Sequence, residues 1–282
     1  MLKWNGSANG SGASDRTSAH PGGKLKAYIV QNRAVQTIAA RKWTIALVLM
    51  ALLLGRAVVL DELSPFALAF FGVVYFLRRD AIRWVTGALL LGSFLSVSGT
   101  GADVQTGMLA AQMLVFLALQ KGLENFGKAE IVYAPILVFV SSFFVDFIAS
   151  VMQSNVSWYG LLMGGVEAGL SFILTLIFLQ AIPVFTLTRK HYQLKNEEII
   201  CLIILLASIM TGTVGWVIGE AVSIEHIFSR YLILIFAMVG GAALGASVGV
   251  VTGLILSLAS VSAVSQIGLL AFAGLLAGLF RE

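Results

Sequence analysis

Charge is what this chain has least of. Only 11% of its 282 residues are Asp, Glu, Lys or Arg, while 59% are hydrophobic and the mean hydropathy is +0.94. Soluble domains carry about 25% charged residues, so too little charge is present to build a water-facing shell. Cysteine is nearly absent: Cys201 stands alone, which excludes an internal disulfide and a thiolate cluster for zinc or iron–sulfur chemistry. In its apolar surroundings it reads as an inert packed thiol. The three histidines, His20, His191 and His226, fall far apart, in the tail and in loops. No HExxH, Walker or paired CxxC pattern occurs, and no nucleophile–base or metal-ligand set offers a start for catalysis. The formal net charge of +4 lies mostly before Trp43, a poor basis for a nucleic-acid groove. Beside an apolar helix, such positive residues meet lipid headgroups and set topology.

What the chain does have is apolar length. From Tyr231 to Phe280, fifty residues pass without Lys, Arg, Asp, Glu or His, more than twice one bilayer crossing. Earlier blocks read as crossings at 43–60, 63–77, 84–98, 107–120, 131–151, 159–180 and 199–219, and the last run holds two full spans or three short ones. The predicted fold is all-α, a polytopic transmembrane helical bundle of nine or ten crossings. Residues 1–42 stand apart as a cytoplasmic tail. Its glycine- and serine-rich opening has too little apolar surface to fold. Residues 24–42 then mix Lys24, Lys26, Arg33, Arg41 and Lys42 with Leu25, Tyr28, Ile29 and Val35, the pattern of an interfacial helix. The tail is too long before the first apolar run, and lacks the small-residue cleavage site, to be a secretory signal. Residues 43–282 are then the multipass transmembrane domain.

The basic residues orient the array. The tail holds seven Lys or Arg against Asp15, and alternate loops hold Arg78, Arg79 and Arg83, then Lys121 and Lys128, then Arg189, Lys190 and Lys195. The opposite loops hold Asp61 and Glu62, then Asp103, then Glu220, Glu225 and Arg230. Fifteen of eighteen basic residues thus share the tail's side, which places the N-terminus in the cytoplasm.

Within the apolar blocks, Asp146 lies in the fifth and Glu167 in the sixth. Carboxylates in hydrocarbon are expensive and should face the bundle interior. Two roles stay open for them: lining a proton or substrate path, or joining one internal hydrogen-bond network. Gln112 is a further interhelical donor with the same alternatives. Arg56, near the outer end of the first crossing, can snorkel outward to Asp61 or Glu62. Pro65, Pro135 and Pro183 mark block boundaries. Gly241, Gly245, Gly249 and Gly253 each follow the last by four residues, which on a helix makes a groove for close packing between crossings or between protomers. Nucleotide binding does not follow from that spacing, because no strand precedes it and no Lys–Ser/Thr pair follows.

The strings themselves carry a resemblance. "LLLGRAVVLDELSPFALAFFGVVYFLRRD" (Leu52 to Asp80), "VEAGLSFILTLIFLQAIPVFT" (Val166 to Thr186), "KNEEIICLIILLASIMTG" (Lys195 to Gly212) and "VGVVTGLILSLA" (Val248 to Ala259) resemble, in order, the membrane region of the stage II sporulation protein E family. The resemblance covers roughly Trp43 to Glu282 and leaves the tail before Lys24 unplaced. It implies an endospore-forming bacterial source and a membrane domain of about ten crossings. In the family a cytoplasmic region follows that self-associates and engages the division machinery, and then a manganese- or magnesium-dependent serine/threonine protein phosphatase. That hydrolase dephosphorylates an anti-sigma factor antagonist, so activating the forespore sigma factor at the polar division septum. The catalytic domain is expected beyond Glu282, so no catalytic, cofactor or metal residue carries over to this chain.

The expected function is accordingly membrane anchoring, localisation and assembly, with the lipid bilayer and self-association as partners. The rival is a transporter or permease with Asp146 and Glu167 lining its path. The orientation is checked by a topology reporter inserted after His191, which should be active only as a cytoplasmic reporter; an external signal there would overturn it.

Overall fold

The computed structural model describes residues 43–59, 63–96, 102–125, 131–152, 158–186, 195–218, 222–259 and 264–280. The tail 1–42, with the interfacial helix expected at 24–42, lies outside the described residues. The chain is built from helices: α1 (Trp43–Arg56), α2 (Pro65–Leu77), α3 (Ile82–Ser96), α4 (Ala102–Asn125), α5 (Ala134–Met152), α6 (Trp158–Thr186), α7 (Asn196–Thr211), α8 (Ile224–Ala259) and α9 (Gln266–Leu279). Single 3₁₀ turns at Arg79–Ala81 and Ile131–Tyr133 lead into α3 and α5. A two-residue antiparallel pair, β1 (Val217–Ile218) with β2 (Val222–Ser223), sets Val217 opposite Ser223 between α7 and α8.

The expected nine or ten crossings are corrected by helix length. Among the described residues, four helices are long and apolar enough, by length and composition, to cross a membrane: Val104–Asn125, Ile131–Met152, Trp158–Val184 and Ile224–Ala259, the last measured end to end across a break at Gly241. Within the described residues the others are shorter. α2 has 13 residues, α3 15, α7 16 and α9 14, so at about 1.5 Å per residue they extend roughly 20–24 Å against a hydrocarbon core of about 30 Å. α2 shows why hydropathy overcounts. Every residue from Pro65 to Val74 is buried in protein, and a helix that is apolar all round is as well suited to a protein core as to lipid.

α2 is the centre of the larger core. It packs against α3, α4, α5 and α6, with Phe70 edge-on to Phe178 at 6.4 Å and Phe71 edge-on to Phe116 at 5.5 Å. Pro65 opens it at a position where a missing amide costs nothing. Pro135 sits in the first turn of α5, whereas α6 runs on through Pro183 to Thr186 rather than ending there. α7 is a wall shared by two cores. Cys201, Leu205 and Ile209, one turn apart, face the first, and Ile203 faces a second with Leu232, Ile233, Val248, Leu256 and Leu270.

The last apolar run makes that second core. α8 leaves helical geometry at Gly241, where φ is 75° and ψ −167°. Its two halves fold back on each other: a Cβ built on Gly245 would lie 2.7 Å from the Ala237 Cβ, although residues eight apart on a straight helix are about 12 Å apart. A side chain at Gly241 would be held in a backbone region used essentially by glycine alone. Gly241→Ala should therefore cost roughly 1–3 kcal/mol, read as thermal unfolding in detergent. Gly268→Ala, on open helix surface, should be neutral or slightly stabilising. Equal stability of Gly241→Ala and the parent would mean that the chain does not reverse at this residue.

Candidate functional site

Gln112, Asp146 and Glu167 lie on three successive helices, and the structure brings them together. The Gln112 Nε2 donates to Asp146 Oδ1 at 3.2 Å and to Glu167 Oε1 at 3.4 Å. Ser142, one turn before Asp146 on α5, donates its hydroxyl to Asp146 Oδ2 at 3.4 Å. Glu167 also accepts the backbone amide of Ser64, the residue that caps α2. One turn further along α6, Ser171 Oγ donates to the Pro65 carbonyl at 3.4 Å. The cluster thus ties α4, α5 and α6 to the first turn of α2. The carboxylate end of Glu167 sits where a helix N-terminus presents unpaired amides and a partial positive charge. Gln112 is only 2% exposed and Glu167 7%. The Gln112 Oε1 has no hydrogen-bond partner among the described residues.

The arrangement is suited to holding helices together. The Gln112 amide turns its N–H donors toward both carboxylates, so the three side chains bond one another. No group of three or more His, Cys, Asp or Glu residues able to hold a metal occurs among the described residues. Beside the start of α2 lies a cavity of about 90 Å³ whose walls, including Val59, Phe66, Leu174, Ile204 and Ile255, are entirely apolar. Neither carboxylate lines it.

The glycine row divides. Gly245, Gly249 and Gly253 face α9 in antiparallel order, meeting Gly274, Leu270 and Ile267. A Cβ at Gly249 would run into the Leu270 carbonyl, and one at Gly253 would lie 2.8 Å from the Ile267 Cα. Gly241 is the reversal of α8 rather than a rung of that groove. The contact is within the chain, between α8 and α9.

Of the orienting cations, Arg78, Arg79 and Arg83 lie at the α2–α3 connection, while Arg189 and Lys190 are outside the described residues. Arg79 bonds Glu124 at the C-terminal end of α4 and lies over Tyr75 at 5.0 Å. The hydrogen bond to Glu124 pushes its guanidinium further above an already high range. Arg56 reaches a partner that its near neighbours in sequence do not suggest. Its Nη2 donates to the Val214 carbonyl at 3.1 Å, and its guanidinium stands 4.7 Å from the Trp216 ring. The acids expected to meet it, Asp61 and Glu62, are outside the described residues. Sequence reasoning also missed Gly164, which faces the Asp146 Cβ at 2.9 Å from where its own would be. Its four-residue spacing from Gly160 and Ala168 was the available signal.

Comparison with known proteins gives this architecture a family. The family model described as SpoIIE, N-terminal domain matches residues 11–282. The chain belongs to that family. The SpoIIE N-terminal match reaches back to residue 11, further into the tail than the strings from Trp43 onward suggest. Stage II sporulation protein E of Bacillus subtilis (strain 168) is 42% identical over 236 residues, covering 83% of this chain. The chain spans about 28% of the length of that relative. No solved structure matches it.

All three members of the polar cluster fall within the SpoIIE N-terminal match, and their contacts can be tested directly. Replacing Gln112 with Leu keeps the volume but removes the donor that the buried Glu167 and the half-buried Asp146 share. It should cost about 2–4 kcal/mol, measured by thermal unfolding in detergent. A parental unfolding temperature would show that the contact does not form.

Proposed function

We propose that this SpoIIE N-terminal domain anchors, localises and helps assemble a longer sporulation protein in the cell membrane. The observation that carries the reading is the use made of the ionisable residues at membrane depth. Asp146 and Glu167 are engaged with Gln112, Ser142 and the start of α2, an arrangement that fixes helices rather than lining a polar path. Four helices of membrane-crossing length and composition supply the hold on the bilayer. Confinement to two dimensions raises the local concentration of whatever is attached.

In this reading the catalytic work belongs to the part of the longer protein outside this chain. By family resemblance that part is a manganese- or magnesium-dependent protein phosphatase acting on a phosphorylated anti-sigma factor antagonist. The metal ions that chemistry needs would be held there. The N-terminus and the Arg78–Arg83 end of the bundle face the cytoplasm, in line with the charge of alternate loops, and the division septum is where the domain concentrates. The transporter reading gains no support from the cavity beside α2, whose walls are apolar.

The test is a fluorescent protein fused after Glu282 and expressed in sporulating cells. It should sediment with membranes and concentrate at the polar septum. A uniform signal around the cell periphery would remove the localising role, and a soluble signal would remove the anchor itself.

A further inference from the structure

The end of the bundle formed by the α2–α3 connection and the C-terminus of α4 carries cations that form no ion pair with a described acid. Arg78 caps α2, Arg79 lies in the 3₁₀ turn and Arg83 in the first turn of α3. Lys121 is one turn before Glu124 on α4. The Arg79–Glu124 ion pair joins these two segments, which brings the remaining cations to one end of the bundle. Arg83 and Lys121 are exposed and Arg78 is half-buried. None of these three has an ion-pair partner among the described residues. Glu124 is taken by Arg79, and Asp80 is the acid beside these cations in sequence.

Directly beyond this charge the surface becomes apolar. Trp84, next to Arg83, is 70% exposed. Leu91 and Leu95 are exposed on the same face of α3, since positions 84, 91 and 95 fall within a narrow arc at about 100° per residue. Gly87 lies on that face with open space where a side chain would be, leaving a notch one turn below Trp84. On α4, Lys121 heads a second exposed apolar face through Leu117 and Leu114. The order along each helix is therefore cation, aromatic or aliphatic shoulder, then apolar face. Tryptophan settles at headgroup depth, and basic pockets between membrane helices bind anionic headgroups.

We propose that this end of the bundle binds an anionic phospholipid, with its phosphate on Arg78, Arg83 and Lys121 and its acyl chains along the exposed faces of α3 and α4. The charge complementarity selects the headgroup, and the adjoining apolar faces select a lipid over a free anion. Arg79 is already paired and acts as the brace that keeps the site together. A bilayer contact made by hydropathy alone would show no preference for headgroup charge.

The test uses the purified full chain in detergent, titrated with phosphatidylglycerol or phosphatidylcholine and followed by native mass spectrometry and thermal unfolding. Phosphatidylglycerol should be retained and should raise the unfolding temperature, with phosphatidylcholine doing neither. One charge beside an anionic surface is worth about 1 kcal/mol, roughly fivefold in affinity. The variant Arg78→Gln, Arg83→Gln, Lys121→Gln should therefore bind on the order of a hundredfold more weakly. Arg78→Lys with Arg83→Lys should bind within a few-fold of the parent, which separates lost charge from lost folding. Gly87→Leu, which fills the notch and leaves every charge in place, should weaken retention as well. Equal retention of the two lipids, or undiminished phosphatidylglycerol binding by the triple Gln variant, would overturn the proposal. So would stabilisation by inorganic phosphate equal to that by phosphatidylglycerol, because the site would then be one for a free anion.

Discussion

Glu167 sets the constraint on which the larger core depends. It lies ten residues into α6, and Gln112 about as far into α4, some 14 Å from either helix start at about 1.5 Å per residue. At that depth in a bilayer no water is available, and each polar group must find its partner inside the protein. α2 has the same need from the other side. Its N-terminus ends beside Glu167 rather than at the rim, so its first amides would otherwise stay unpaired. The carboxylate and the helix end satisfy each other. Each would be costly alone, and together they fix where a 13-residue helix sits among α4, α5 and α6.

The consequence extends along α2. Once its N-terminus is held by Glu167 and Ser171, the aromatic contacts of Phe70 with α6 and Phe71 with α4 follow along the same helix. At its far end, Arg79 reaches Glu124 and closes the contact with α4 a second time. Tyr75 packs against Phe116 at 5.8 Å between these two attachments. A helix too short to cross the membrane is thus among the most fully buried segments described, and its apolarity reflects protein neighbours.

This explains which features the residues disclosed and which they hid. Asp146, Glu167 and Gln112 stand out because charge and amide are rare in apolar blocks, and that signal needs no knowledge of neighbours. The partner of Glu167 was hidden because Ser64–Pro65 reads as a boundary, and a boundary reads as being outside. The number of crossings was hidden for a related reason: transfer from water into lipid and into a protein core leave the same hydropathy. Gly241 illustrates a third limit. Its spacing from Gly245 is that of one continuous helix face, yet it is where the helix reverses, and a positive φ has no signature in a row of glycines. Arg56 was read with its nearest acids, while the fold gives it a carbonyl and an indole more than 150 residues later in the chain.

The glycine row also bears on how copies of this domain could associate. Helices in lipid gain nothing from burying apolar surface, so association rests on close backbone approach and on polar contacts. The row Gly245, Gly249 and Gly253 provides close approach, but α9 of the same chain already fills it. The interior polar groups described above are likewise used between helices of one chain. A second copy could reach that row only by displacing α9, whereas Gly165 and Gly169, four residues apart on α6, have open space where a side chain would stand. On this argument the domain's internal packing is needed to keep each copy in the membrane, and its outer apolar faces remain available to lipid.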